Sequence, residues 1–239
     1  MSEKHSPNRR ECFLVDGSST HAIIVANGGL PYLEVTRQRV FDWLADKPEA
    51  LIVAANGGTH NALSLGLTPA VVVGDLDSLH TVLRQRLSAA GCLFEVYPAH
   101  KDETDFELAL RYAVQQGVGQ MWVLGALGGR LDQTLANILL LALPLLEGVE
   151  VRIVEGHQTA WLVRGESEIP GQPGDTLSLI PLGGDAHGVT TEGLEYPLDD
   201  QVLPFSLTLG ISNVLTGRRA RVSVRQGALL AVHTAEGAL

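Results

Sequence analysis

Between residues 21 and 155 the chain repeats one pattern, and that repetition restricts the fold more than any other feature. Short apolar runs occur at 22–26, 51–55, 70–73, 93–96, 121–124 and 151–154, with helix-like stretches between them. Runs this short and this continuously apolar suit strands covered on both faces. The intervening stretches carry 3.6-residue periodicity. The 79–90 stretch places Leu79, Leu83, Leu87 and Ala90 on one face, with Ser78 available as its cap. The 105–116 stretch does the same with Phe106, Ala109, Leu110 and Ala113, and Thr104 with Glu107 forms a capping-box pattern. Strand–helix alternation predicts a mostly parallel sheet with helices on both faces.

After residue 155 the periodicity changes. Strand-like runs appear at 160–163, 176–180, 188–191, 205–209, 220–224 and 228–233. Pro173-Gly174, Gly183-Gly184-Asp185 and Arg225-Gln226-Gly227 punctuate them as turns. This predicts an α/β domain over residues 1–155, followed by a small all-β sandwich over 156–239. The first ten residues read as a loose polar tail.

In open α/β sheets, ligands bind beyond the carboxyl ends of the strands. The polar motifs of this chain fall there. Ala26-Asn27-Gly28-Gly29 follows the first run and Ala55-Asn56-Gly57-Gly58 the second. Gly74-Asp75-Leu76-Asp77-Ser78 follows the third, and Lys101-Asp102-Glu103-Thr104-Asp105 the fourth. Gly128-Gly129-Arg130-Leu131-Asp132-Gln133 follows the fifth. The glycines permit close backbone approach to a ligand, although each turn alone reads equally well as a plain tight turn. Asp75 and Asp77 aim two carboxylates at one region, as Mg²⁺ and its phosphate ligands require. Two like charges about 5 Å apart repel by roughly 3 kcal/mol at an effective dielectric near 20. Several acids on one rim therefore call for a counter-charge, from Lys101, Arg130 or a divalent ion. Arg130, between two glycines and a helix start, suits phosphate oxygens. Gln133 and Asn137 lie one turn apart on that helix; both read as ordinary polar surface or as ligand contacts, the latter mainly for Gln133.

Composition narrows the classes further. The 239 residues carry a formal net charge of -10, which disfavours sequence-independent nucleic-acid binding. The longest apolar run, near 138–146, is interrupted by Pro144 and is too short to span a bilayer. Two cysteines, Cys12 and Cys92, fit a reducing, cytoplasmic setting, and the polar N-terminus shows no leader pattern. No P-loop, dinucleotide fingerprint, zinc spacing or nucleophile elbow occurs.

The motif order as a whole resembles the thiamine pyrophosphokinase family. The resemblance rests on Asn27-Gly28, Asn56-Gly57-Gly58-Thr59-His60-Asn61, Pro69 with Gly74-Asp75-Leu76-Asp77-Ser78, Lys101 to Phe106, Gly128 to Gln133, and Gly210-Ile211-Ser212-Asn213. It implies a homodimer whose active site lies where an α/β catalytic domain meets a vitamin-binding β domain. It implies Mg²⁺ held by Asp75, Asp77 and Asp105, with Asp102 nearby, and ATP as co-substrate. Asp132, Arg130 and Gln133 would contact substrate or phosphates, with Asp102 or Asp132 orienting the thiamine hydroxyl. Asn27, Gly28, Asn56, Gly57, Gly58, Asn61, Lys101 and Thr104 would complete the nucleotide cradle. Ser212 and Asn213 would contact thiamine. Two positions depart from the family pattern: Asn56 stands where Asp is usual, and Val214-Leu215 replaces a Thr-aromatic pair. The Asp-x-Asp pair also fits a nucleotide-sugar transferase, and Asn56 keeps open a non-catalytic binding module.

Overall fold

A computed structural model describes residues 20–236. The α/β part contains β1 (His21–Val25), α1 (Leu33–Ala45), β2 (Leu51–Ala55), α2 (Gly58–Ser64), β3 (Val71–Gly74) and α3 (Thr81–Ala89). It continues with β4 (Leu93–Val96), α4 (Asp105–Gln115), β5 (Gln120–Leu124), α5 (Leu131–Leu139) and β6 (Glu150–Glu155). These six strands pair in parallel in the order β6-β5-β1-β2-β3-β4.

Side-chain alternation explains why both faces are covered. Ala22, Ile24 and Ala26 pack on Phe106, Ala109, Leu110 and Ala113 of α4. Ile23 and Val25 point the other way, onto Val40 of α1 and Ala62 of α2. The chain builds outward from β1 to β4, then returns through α4 to β5 on the other side of β1. Because crossovers of this kind are right-handed, reversing the direction of travel moves the helices to the opposite face. The reversal leaves a switch point between β1 and β5, where the loops diverge.

The α4 cap is formed as the sequence predicts: Thr104 Oγ1 accepts from the Glu107 amide at 3.1 Å. The Glu107 carboxylate turns to Arg111 instead of closing the box. Ser78 does not cap α3. The N-cap there is His80, and the Ser78 hydroxyl donates to Asp77 Oδ1 at 3.0 Å. Ala90, expected on the buried face, is exposed just past the end of that helix.

The remaining strands are β7 (Gln158–Pro170), β8 (Thr176–Pro181), β9 (Ala186–Glu192), β10 (Gln201–Leu203), β11 (Asn213–Val214) and β12 (Arg219–Thr234). The runs predicted at 220–224 and 228–233 are one strand, β12. Arg225-Gln226-Gly227 forms a bulge rather than a chain reversal, because β7 stays paired on both sides of it. At the bulge β12 exchanges its other neighbour, β9, for β8. The side chains of β8 and of β9–β10 then share one core with Trp161, Leu215 and Leu229. The strand predicted at 205–209 does not form. Phe205, Leu207 and Leu209 are exposed, and the Phe205 amide is taken by Asp185 Oδ1 at 2.9 Å.

The two parts are joined through one sheet, since β7 pairs antiparallel with β6. Arg39 of α1 fastens this junction. It donates to the carbonyls of Gly156 (2.6 Å) and Gln158 (3.0 Å) and to Thr159 Oγ1 (2.7 Å). Buried Thr36 Oγ1 accepts from the Gly156 amide at 2.9 Å. The loose tail expected for the first ten residues lies outside the described residues.

Candidate active site

The loops after β1 and β5 are zipped together at the switch point. The Ala26 amide donates to the Leu124 carbonyl (2.8 Å), Gly28 to Gly125 (2.6 Å) and Gly29 to Leu127 (2.9 Å). A β-carbon on Gly28 would lie 2.3 Å from the Leu127 oxygen, so only glycine permits this approach. Asn61 Nδ2 supports the turn from behind through the carbonyls of Ala26 (2.8 Å) and Gly28 (2.9 Å). Asn61 thus orders the loop and does not line the cleft. Gly58 likewise packs under the turn, with a β-carbon there 2.1 Å from the Val25 oxygen, while Gly57 lies under Asn27.

Beside these turns lies the acidic loop. Leu76 has φ of 63° and is 4% exposed, anchored among Val72, Leu79 and Leu87. A non-glycine residue in the left-handed region costs about 1–2 kcal/mol, which the buried Leu76 side chain offsets while it orients the aspartates on either side. Asn56 Nδ2 donates to Asp75 Oδ1 at 2.8 Å and to Asp77 Oδ1 at 2.9 Å, tying the two carboxylates to one amide. Hydrogen bonds from Asn56, then Ser78, hold the Asp77 carboxyl below its ordinary pKa.

Gly74 brings a third acid to the same corner. A β-carbon there would lie 2.9 Å from Asn56 Cβ and 2.9 Å from both Asp105 Cγ and Oδ1. Asp105 Oδ1 is 2.8 Å from Lys101 Nζ, an ion pair without a donor directed along a lone pair. Among the described residues no three His, Cys, Asp or Glu side chains converge as a ready-made metal cluster.

These groups open on a cleft of about 840 Å³. Its lining includes Asn27, Gly28, Asn56, Gly57, Asp75, Lys101, Thr104, Asp105, Arg130 and Gln133. Asp77 is bonded to the lining but exposed beside it, and Asp102 is exposed outside it. Asp132 also faces solvent, held by Arg130 through a 3.1 Å bond from Nε and a 2.5 Å bond from Nη2. That pairing lowers the Asp132 pKa and raises that of Arg130. Ser212 and Asn213 lie outside this cleft. Both polar atoms of the Asn213 amide are engaged: Oδ1 accepts from the amides of Tyr196 and Val214, and Nδ2 donates to the Tyr196 carbonyl.

Sequence reasoning missed Phe106 and Glu103 as cleft residues and ranked Asn137 below Gln133. Asn137 is 6% exposed, not surface. An Asn between Ala136 and Ile138 on an apolar helix was the available signal. Among the described residues, two buried side-chain oxygens, Asn56 Oδ1 and Asn137 Oδ1, have no partner, and buried Asp105 Oδ1 has only the Lys101 ammonium at 2.8 Å. All three belong to the lining of this one cleft. Buried polar groups in native proteins normally find partners, so their concentration marks a place that a ligand, ion or water completes.

Comparison with known proteins bears on the same residues. The family model for the thiamin pyrophosphokinase catalytic domain matches residues 44–153, and that for the thiamin pyrophosphokinase vitamin B1 binding domain matches 166–229. Thiamine pyrophosphokinase of Bacillus subtilis (strain 168) is 31% identical over 188 residues, covering 78% of this chain and 88% of the relative. The crystal structure of thiamine pyrophosphokinase from Bacillus subtilis superposes with a TM-score of 0.77 at 29% identity, covering 90% of this chain and 99% of that one. The Geobacillus thermodenitrificans structure gives 0.75 at 28% identity, covering 92% and 100%. On these matches the chain belongs to the thiamine pyrophosphokinase family.

Proposed function

We propose that this enzyme transfers a pyrophosphoryl group from ATP to the hydroxyl of thiamine, yielding thiamine diphosphate and AMP. The observation that carries the reading at this site is the gathering of two partnerless buried side-chain oxygens, Asn56 Oδ1 and Asn137 Oδ1, with the Lys101–Asp105 ion pair in one cleft beside the Asn-Gly-Gly turns. The hydroxyl oxygen attacks the β-phosphorus, the bond from that phosphorus to the α-phosphate oxygen breaks, and the hydroxyl proton is released. Positioning and charge neutralisation supply most of the catalysis in such reactions. Lys101 and Arg130 offer cations to the phosphates. The β1 and β5 loops, cross-bonded at Gly28 and Gly29, hold the nucleotide against a rigid backbone.

A hard divalent cation fits the donors present. Asp75, Asp77 and Asp105 supply carboxylate oxygens, and the buried Asn56 Oδ1 beside them has no donor. Mg²⁺ takes only one or two carboxylates beside phosphates and waters, so a complete protein cage is not needed. Held there through one or two of the carboxylates of Asp75, Asp77 and Asp105, Mg²⁺ would neutralise phosphate charge. Asp102 and Asp132 remain the candidates for orienting the hydroxyl, from the rim.

The division of labour falls near residue 155, with nucleotide handled before it and thiamine after it. Exposed Leu131, Leu135 and Leu139 on α5, and exposed Phe205, Leu207 and Leu209, support a homodimer. In that dimer the Ser212–Asn213 segment of one chain would approach the cleft of the other. The net charge of -10 and two cysteines support a cytoplasmic setting, and no described helix is long and apolar enough to cross a membrane.

The test is AMP release from Mg-ATP with thiamine. We expect turnover that EDTA abolishes and that Asp77→Ala lowers by about 10²-fold or more. Binding of both substrates without AMP formation would instead establish a non-catalytic module. Near-normal turnover in Asp77→Ala removes the metal role.

A further inference from the structure

Asn137 does not enter the chemistry above, yet its side chain is the most narrowly constrained ligand-facing group in the cleft. It sits on α5, 6% exposed, and lines the cleft beside Ala126 and Phe106. Its Nδ2 donates to the Ala126 carbonyl at 2.8 Å. That bond settles the amide orientation, since a flipped amide would set two oxygens against each other. Oδ1 is therefore fixed as an acceptor, and it is buried without a donor. An acceptor held this way is completed by a donor on whatever fills the cleft.

Position indicates which donor. The other partnerless oxygen, Asn56 Oδ1, and the Lys101-paired Asp105 carboxylate lie in the acidic corner around Gly74 at the end of β3. Asn137 is bonded at the end of β5, and the sheet order places β2 and β1 between β3 and β5. Three strand spacings make about 14 Å. A ligand whose charged end occupies the acidic corner therefore reaches Asn137 with its far end. Ala126, whose carbonyl holds Asn137, is apolar in its side chain and suits a flat ring more than a sugar or phosphate.

We propose that Asn137 is a specificity-determining residue, whose Oδ1 accepts a hydrogen bond from the exocyclic amino group of an aminopyrimidine ring. Resting on the proposed reaction, that ring is either the pyrimidine of thiamine or the six-membered ring of adenine in ATP. The two share the chemistry that Asn137 reads. Replacing the amino group by a carbonyl turns the donor into a second acceptor facing Oδ1, which a site of this kind rejects.

The experiment titrates the full chain with two ligand pairs, thiamine against oxythiamine and ATP against inosine triphosphate. AMP release is assayed separately with thiamine and ATP. Wild type is expected to bind the amino member of one pair at least about tenfold more tightly, and that pair identifies the ring. Asn137→Ala should bring the same ratio to within about threefold by weakening the amino ligand. Because that substitution strips the Ala126 carbonyl of its donor, a second measurement uses wild type alone. The Asn137 side-chain amide resonance should shift with the amino ligand and stay in place with its oxo counterpart. No discrimination in either pair, an unchanged ratio in folded Asn137→Ala, or an unmoved resonance overturns the proposal. Absent AMP release with intact binding ratios overturns the proposed reaction but leaves Asn137 in its role.

Discussion

Gly74→Ala tests whether the acidic corner is built as described. Gly74 has φ of 145°, where an L-residue is strained by about 1–3 kcal/mol. Its new β-carbon would lie 2.9 Å from Asn56 Cβ and from the Asp105 carboxyl, about 0.5 Å inside ordinary contact. Overpacking of that kind costs about 1–3 kcal/mol. The sum, roughly 2–6 kcal/mol, lowers Tm by about 4–24 °C for a chain of this size. Because Asn56 and Asp105 are the groups displaced, activity should suffer more than stability. A shift of about 0.5 Å in both should reduce kcat/KM for AMP release by about tenfold. Gly91→Ala is the control. Gly91 also has a positive φ, 88°, but nothing lies within 4 Å of its β-carbon position, so that variant should lose stability and keep its activity. Both variants would be followed by calorimetry and by the AMP assay. A folded Gly74→Ala enzyme within twofold of wild-type activity would show that Asn56 and Asp105 do not converge on the reacting groups.

Three further outcomes follow from named contacts. Arg39→Met removes three hydrogen bonds from a cation at the β6–β7 turn, and chemical denaturation should show a loss of about 3 kcal/mol or more. Burial opposes ionisation of Asp175, but the amides of Glu236 and Gln172 and the ring of His233 outweigh it, leaving its pKa below the ordinary 3.8. A carboxyl lowered on folding contributes stability that is present above the unfolded value and lost as pH falls through the folded one. Acid unfolding should therefore be less steep below about pH 4 in Asp175→Asn than in wild type. Burial pushes the Cys92 thiol up to about 11, so in a Cys12→Ser background iodoacetamide at pH 8 should label Cys92 only after denaturation.

Much of the molecule was readable from local patterns. The β1 run contains its own answer to which face each side chain takes: Ala22 and Ile24 toward α4, Ile23 and Val25 toward α1 and α2. The Thr104 cap of α4, the glycine at 28 and the acids after β3 are likewise consequences of spacing and residue type. These properties depend on neighbours within a few residues, which is the range over which a linear pattern carries information. Contacts between distant segments were not readable in that way. That Asn61 holds up the β1 loop while Asn137 faces the cleft is decided by the distant segments each amide meets. Ser78 had the chemistry of a cap and was drawn instead to Asp77. Phe205, Leu207 and Leu209 alternate as a strand should, yet a strand exists only where a partner offers its backbone, and there the Asp185 carboxylate took the amide. The bulge that makes β12 one strand likewise depends on β7 remaining paired across it. Sequence by itself determined the layers, the helix faces and the glycine-bounded rim, because periodicity and backbone freedom are local. Tertiary structure alone decided that one amide joins Asp75 to Asp77, and that Asn137 is buried with an acceptor to spare. Those facts arise from segments that meet only after the chain has closed on itself.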